Sequence, residues 1–267
     1  MVLKGMADLP LYAVFFVTIG LNFFFALSGK GAAIFQMPAF VWLGMPINGA
    51  KSMALLANTV SLTAVSLENF RANRLDLKLG LPVIIGSFAF APVGAYLSTF
   101  IEKKVVMLLF VIFLVYAGIS AFITVKPPPK AGGASGRNRQ IKTAYLFGIG
   151  VIAGLVSGLL AVGGGAIISA FMLLLGYQAK KISMITALAV PFSSFTGFIT
   201  YAAAGYISWP ALVTVSGAAF LGGYLGNKTA HSFLSDKIIQ QTIGALSLML
   251  AVKIFFELVG NPVSHDL

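Results

Sequence analysis

TAYLFGIGVIAGLVSGLLAVGGGAIISAFMLLLG, residues 143–176, decides the fold. These 34 residues contain no charged side chain. As one unbroken helix they would extend about 50 Å, at ~1.5 Å per residue. An apolar layer of ~30 Å needs only ~20 residues. The stretch is therefore too long for one upright span, and Gly163-Gly164-Gly165 interrupts it just past its middle. Glycine opens a helix, and inside lipid the freed N–H groups must find partners within the protein. Two architectures fit: a single tilted and kinked span, or a re-entrant pair of half-helices that returns to the side it entered.

The same oddity occurs near the start of the chain. Residues 10–44 are apolar but are interrupted by Ser28, Gly29, Lys30 and Gly31. Three ordinary apolar segments follow each broken one: 52–70, 79–101 and 105–125 in the first half, then 182–204, 209–230 and 238–259 in the second. Between the halves runs Lys126-Pro127-Pro128-Pro129-Lys130 and on to Lys142, rich in Pro, Gly and basic residues, which marks a linker. The expected organisation is a first transmembrane repeat at 1–125, a basic cytoplasmic linker at 126–142 and a second repeat at 143–267. The fold class is all-α, a polytopic membrane protein of two repeats. Gly29-Lys30-Gly31-Ala32 aligns with Gly163-Gly164-Gly165-Ala166 at an offset of 134, whereas Leu43-Gly44 meets Leu175-Gly176, and Gly94 meets Gly226, at 132.

Composition supports a lipid environment. Of 267 residues 58% are hydrophobic and 9% charged, and the mean hydropathy is +0.95, too apolar to dress a soluble surface. The absence of cysteine excludes disulfide, iron–sulfur and thiol chemistry. With only His231 and His265, no histidine metal site is expected, and no cofactor. The net charge of +11 reads as basic loops facing an anionic leaflet rather than as nucleic-acid binding. Residues 10–45 are too long for the apolar core of a cleavable signal. The expected location is the cell (inner) membrane, as a multi-pass protein among lipid.

Loop charge arbitrates between the two architectures. Eight crossings with parallel repeats place 9 basic residues inside and 7 outside. Re-entrant segments with both termini outside place 12 inside and 4 outside, with Lys51 among the outer four. The steeper asymmetry favours the second arrangement, in which each repeat crosses three times and the second is inverted relative to the first.

Three features carry chemistry. Lys30 sits in the first break with ~13 or more apolar residues on either side, where an ammonium costs several kcal/mol unless hydrated or paired. It is expected to face a polar cavity and attract an anion, the bland alternative being a lysine that snorkels from a shorter helix end. The breaks at Gly29–Gly31 and Gly163-Gly164-Gly165 are the second feature. A helix starting there aims open N–H groups and partial positive charge ahead of itself, although glycine also serves close helix packing. Polar residues of segments 52–70 and 182–204 are the third. Asn58, Ser61, Ser193 and Ser194 can complete an oxyanion's hydrogen bonds, and Ser and Thr elsewhere in these segments serve as glue between helices. Neither break is a nucleotide motif, because Gly31 rather than Ser or Thr follows Lys30 and no strand precedes it. Lys253 and Glu257 can neutralise each other at i, i+4, and Glu68, Arg71, Arg74 and Asp76 read as a solvated cluster. No carboxylate pair or buried histidine supports an enzyme.

At these residues the chain resembles the TauE/SafE family of sulfite and organosulfonate exporters. The resemblance rests on Leu160-Ala161-Val162-Gly163-Gly164-Gly165 and Leu27-Ser28-Gly29-Lys30-Gly31, on Gly94 and Gly226, and on the basic linker between four-segment halves. It covers nearly the whole chain. It implies secondary transport of small sulfur-containing anions such as sulfite, thiosulfate or sulfoacetate, with no bound cofactor and with the breaks lining the path. Lys30 departs from the expected glycine run, which puts the identity of the anion in doubt. The expected function is an anion transporter using alternating access and a coupling proton or ion. The alternative is an anion channel or a non-transporting membrane subunit. The expected substrate site comprises Ser28, Gly29, Lys30, Gly31, Asn58, Ser61, Gly163, Gly164, Gly165, Ser193 and Ser194, with no catalytic residue and no metal.

Overall fold

The computed structural model describes residues 10–26, 31–71, 77–122, 143–175, 177, 179–229 and 236–260. Among these residues every regular element is helical. The order is α1 (Leu11–Ala26), α2 (Ala33–Trp42), α3 (Ile47–Arg71), α4 (Leu77–Phe100), α5 (Lys103–Phe122), α6 (Thr143–Leu160), α7 (Gly165–Leu174), α8 (Ala179–Ala203), α9 (Trp209–Thr229) and α10 (Asp236–Gly260). Five of them contain stretches long and apolar enough to cross a membrane: Leu79–Phe100, Lys103–Phe122, Thr143–Leu160, Lys181–Ala203 and Gln240–Gly260. The protein is a multi-pass membrane protein. The linker at 126–142, and the side chains of Glu68, Arg74 and Asp76, lie outside the described residues.

Each long apolar segment is two helices. The chain does more than kink between them. Phe25 and Phe35, ten residues apart, bring their ring centroids within 4.9 Å, where an unbroken helix would hold them ~15 Å apart. In the second break Ala161, Gly163 and Gly164 all have positive φ (57°, 79° and 69°), which lets the backbone turn sharply. A side chain at Gly164 would press on the Ala153 carbonyl, eleven residues back along the chain. Both segments fold back upon themselves.

Helix ends follow from local chemistry. The end of α2 is a Schellman motif: the N–H of Gly44 (φ 95°) donates to the Val41 carbonyl and that of Met45 to the Phe40 carbonyl. Pro46 then precedes α3. Gly205 (φ 87°) closes α8 in the same way, with Tyr206 N–H bonded to the Tyr201 carbonyl. Prolines inside helices each orphan the carbonyl four residues before them. Two of these carbonyls are recovered across helix interfaces. Pro191 leaves the Ala187 carbonyl, which accepts from the Ser66 hydroxyl of α3. Pro92 leaves the Phe88 carbonyl, which accepts from Thr196 of α8 at 3.1 Å.

Packing is symmetric under exchange of α1–α5 with α6–α10. The α4–α6 contact answers to α9–α1, α4–α8 to α9–α3, α2–α3 to α7–α8, and α1–α2 to α6–α7, while α3–α8 and α5–α10 answer to themselves. Gly94 lies against the Leu155 carbonyl and Gly226 against the Phe23 carbonyl, images of one another at an offset of 132. Helices α2 and α7 begin at Ala33 and Gly165, also 132 apart, so the breaks align at 132 rather than at 134. Direction is equally informative. Along α3, residues 51, 55, 58 and 66 meet residues 201, 197, 194 and 187 of α8, so the two helices run antiparallel. Helices α5 and α10 do likewise, Gly118 facing Leu248 and Ala121 facing Gly244.

Gly94→Ala should destabilise the protein by about 1–3 kcal/mol, because its methyl overlaps the Leu155 backbone. Gly148→Ala, with nothing within 4 Å of the added carbon, should be neutral or slightly stabilising. Thermal melting in detergent compares the two.

Candidate functional site

The two breaks meet around one side chain. Asn58, fully buried in the middle of α3, stands between them. A methyl group at Gly31 would collide with its Oδ1, and one at Gly163 with its Nδ2. The backbone of each break closes onto this amide, so a side chain at either place would have to displace it. Nδ2 donates to the Ser194 hydroxyl of α8 at 2.9 Å, and Oδ1 has no partner. A buried acceptor left without a donor costs about 1–3 kcal/mol, so it marks a place where a ligand or water is wanted.

Beside Asn58 lies a cavity of about 100 Å³. This is smaller than the ~150 Å³ that admits benzene, so it suits a ligand of a few heavy atoms. Gly31 and Ile34 from the first break, and Gly163, Gly165 and Ala166 from the second, line it. Helices α2 and α7 both start here, and neither has a side-chain cap. In α2 the Phe35 and Gln36 N–H groups bond the Ala32 carbonyl, and in α7 the Ile168 N–H bonds that of Gly164. The N–H groups ahead of these, at Ala33 and Ile34 and at Gly165 and Ala166, are those a helix leaves open. Each helix end adds partial positive charge. The cavity thus combines two helix N-termini, an amide and apolar walls, an environment that suits an anion.

The expected site residues separate into groups. Gly31, Asn58, Gly163 and Gly165 line the cavity. Ser194 holds Asn58, and Gly164 makes the left-handed step into α7. Ser61 and Ser193 are elsewhere: Ser61 packs against Gly223 of α9, and Ser193 donates to the Val190 carbonyl of its own helix at 3.0 Å. Neither lines this cavity. Ser28, Gly29 and Lys30 lie outside the described residues. Sequence reasoning missed Ser120, Ser169, Gln240 and Ser247, which also line the cavity. Their signal was available, since each is a polar residue in an otherwise apolar segment, but nothing in the sequence brings α5 and α10 to the breaks.

Lys51 is the main correction. Loop counting placed it in water, yet it is 1% exposed in the first turns of α3. Lys253 and Glu257 do pair, at 3.9 Å and well exposed. Lys253 also lies over the Trp42 ring at 3.4 Å, and Trp42 Nε1 donates to Glu257 at 3.4 Å. That cluster ties the end of α2 to α10.

Comparison with known proteins follows the same lines. The family model described as sulfite exporter TauE/SafE matches residues 14–254. A probable membrane transporter protein, ORF9, from Sinorhizobium sp is 22% identical over 256 residues, covering 94% of this chain and 96% of the relative. No solved structure matches the chain.

The Asn58–Ser194 bond predicts energetic coupling across α3 and α8. In a double-mutant cycle, Asn58→Ala and Ser194→Ala should each destabilise by about 1–3 kcal/mol. The double variant should lose about 1 kcal/mol less than the sum, as partners in one bond do. Unfolding of the four proteins in detergent measures the cycle.

Proposed function

Because the chain belongs to the TauE/SafE sulfite exporter family, and is a membrane transporter, we propose that it carries small sulfur-containing anions, sulfite or organosulfonates, by alternating access around the cavity at the two breaks. One observation carries this reading: two uncapped helix N-termini converge on a buried amide whose oxygen lacks a donor. Gly31, Gly163 and Gly165 let backbone N–H groups approach the anion. Asn58, held by Ser194, contributes its amide. Ser28, Gly29 and Lys30 complete the first break, with Lys30 supplying charge.

The two halves act as inverted repeats. The symmetric contacts support this, and so do the antiparallel pairs α3–α8 and α5–α10, since equivalent helices of parallel repeats would run the same way. The folded-back segments support re-entrant hairpins, and both features agree with the 12-to-4 split of basic residues, even with Lys51 withdrawn from the outer side. Inverted repeats that share a central site can exchange conformations by a rocking motion, which opens the site to each side in turn. The unpartnered Oδ1 of Asn58 suits an anion that brings a proton or a bridging water of its own.

Reconstituted in vesicles, the protein should drive sulfite or thiosulfate flux. Asn58→Leu should lower that flux at least tenfold while leaving expression intact, and Lys30→Met should abolish it. Equal flux by all three proteins, or none above empty vesicles from the wild type, would contradict the proposal.

A further inference from the structure

The first turns of α3 carry a buried cation that the anion site does not touch. Lys51 Nζ donates to the Ser98 hydroxyl of α4 at 2.7 Å and reaches Asn48 Oδ1 at 3.5 Å. It stands 5.8 Å from the centre of the Tyr201 ring of α8. Tyr201 in turn donates to the Gly158 carbonyl at 2.9 Å. Gly158 lies two residues before the end of α6, at the threshold of the second break. Lys51 therefore lies beside a tyrosine that is tied to the α6 backbone at that threshold.

Among the described residues no acidic side chain pairs with Lys51. Helices α1, α2, α4, α6, α8 and α9 contain no Asp, Glu or His. The acidic residue of its own helix, Glu68, is 17 positions away, about 25 Å. Glu102, just beyond α4, is exposed and makes no ion pair with it. The titratable groups facing Lys51 are Tyr201 and, behind it, Tyr206. An ammonium shut away from water without a counter-charge is costly, and it can shed that cost by releasing its proton or by gaining an anion nearby. The anion site offers the second route. Asn58 is seven residues along α3 on the same face, about 10 Å away.

We propose that Lys51 is the proton-carrying group of this transporter, protonated when an anion occupies the cavity beside Asn58 and released of its proton when the anion leaves. The inference rests on the anion-transport reading. The proton comes from water on the side to which the cavity is open and departs on the side where the anion is discharged, so anion and proton move together. Linkage makes the effect reciprocal: whatever the anion does for the proton, the proton does for the anion. A unit charge about 10 Å off at intermediate dielectric changes affinity about tenfold. The charge belongs to one half only, as the position 132 residues on is Ser183, so symmetric packing does not account for it.

The test adds thiosulfate, which takes up no proton near neutrality, to purified protein in weakly buffered solution, and follows both binding and pH. Wild type should bind thiosulfate and take up as much as one proton per anion. Lys51→Met should bind about tenfold more weakly with no uptake. Lys51→Arg, which holds its proton at any pH, should bind but take up none, and it decides the matter if Lys51→Met does not fold. Binding without proton uptake by wild type, or undiminished uptake by either variant, overturns the proton-carrying role and leaves the anion site standing. Failure of wild type to bind thiosulfate, sulfite or sulfoacetate overturns both.

Discussion

A helix opened inside a membrane leaves amide groups that lipid cannot satisfy, and the rest of this structure answers to that constraint. Both long apolar segments are divided, into α1 with α2 and α6 with α7, and both fold back. The freed backbone of the two breaks is gathered at one point, around Asn58, rather than left against lipid at two. Glycine at 31 and 163 is the geometric condition for that gathering, because any side chain would strike the amide. Elsewhere the same constraint is met piecemeal, with Ser66 and Thr196 covering the carbonyls that Pro191 and Pro92 orphan.

Symmetry and function are linked through this geometry. Close backbone contacts at Gly94 and Gly226 clamp α4 to α6 and α9 to α1, so each half holds the broken helix of the other. The antiparallel α3–α8 pair forms the axis of this arrangement. It has polar rungs two turns apart: Asn58–Ser194 at the cavity, and Lys51 with Tyr201 nearer the end of the helices. The first rung is neutral and faces the ligand space. The second brings in the amine of Lys51, which does not line that space.

Much of this was legible in the sequence. Excess length of 143–176 and 10–44, with glycines inside, gave the breaks. Segment spacing suggested two halves, and loop charge favoured an inverted arrangement, which remains part of the proposal. Asn58 stood out as an amide in an apolar helix. What stayed hidden depends on distant contacts. Lys51 lies at the edge of its segment, and a lysine there looks like a loop residue unless one knows that α4 and α8 close over it. Ser61 and Ser193 match in register, yet neither lines the cavity, because a shared register says nothing about which helix face meets it. Ser120, Gln240 and Ser247 come to the site only through the α5–α10 pair.

The central claim is that one small anion sits between the two breaks. An experimental structure of the protein soaked with selenite or selenate, whose selenium scatters anomalously, tests it most directly. The account predicts a selenium peak in the cavity bounded by Gly31, Asn58 and Gly163. A peak confined to other sites, or breaks sealed against each other with no space for the ion, would contradict it.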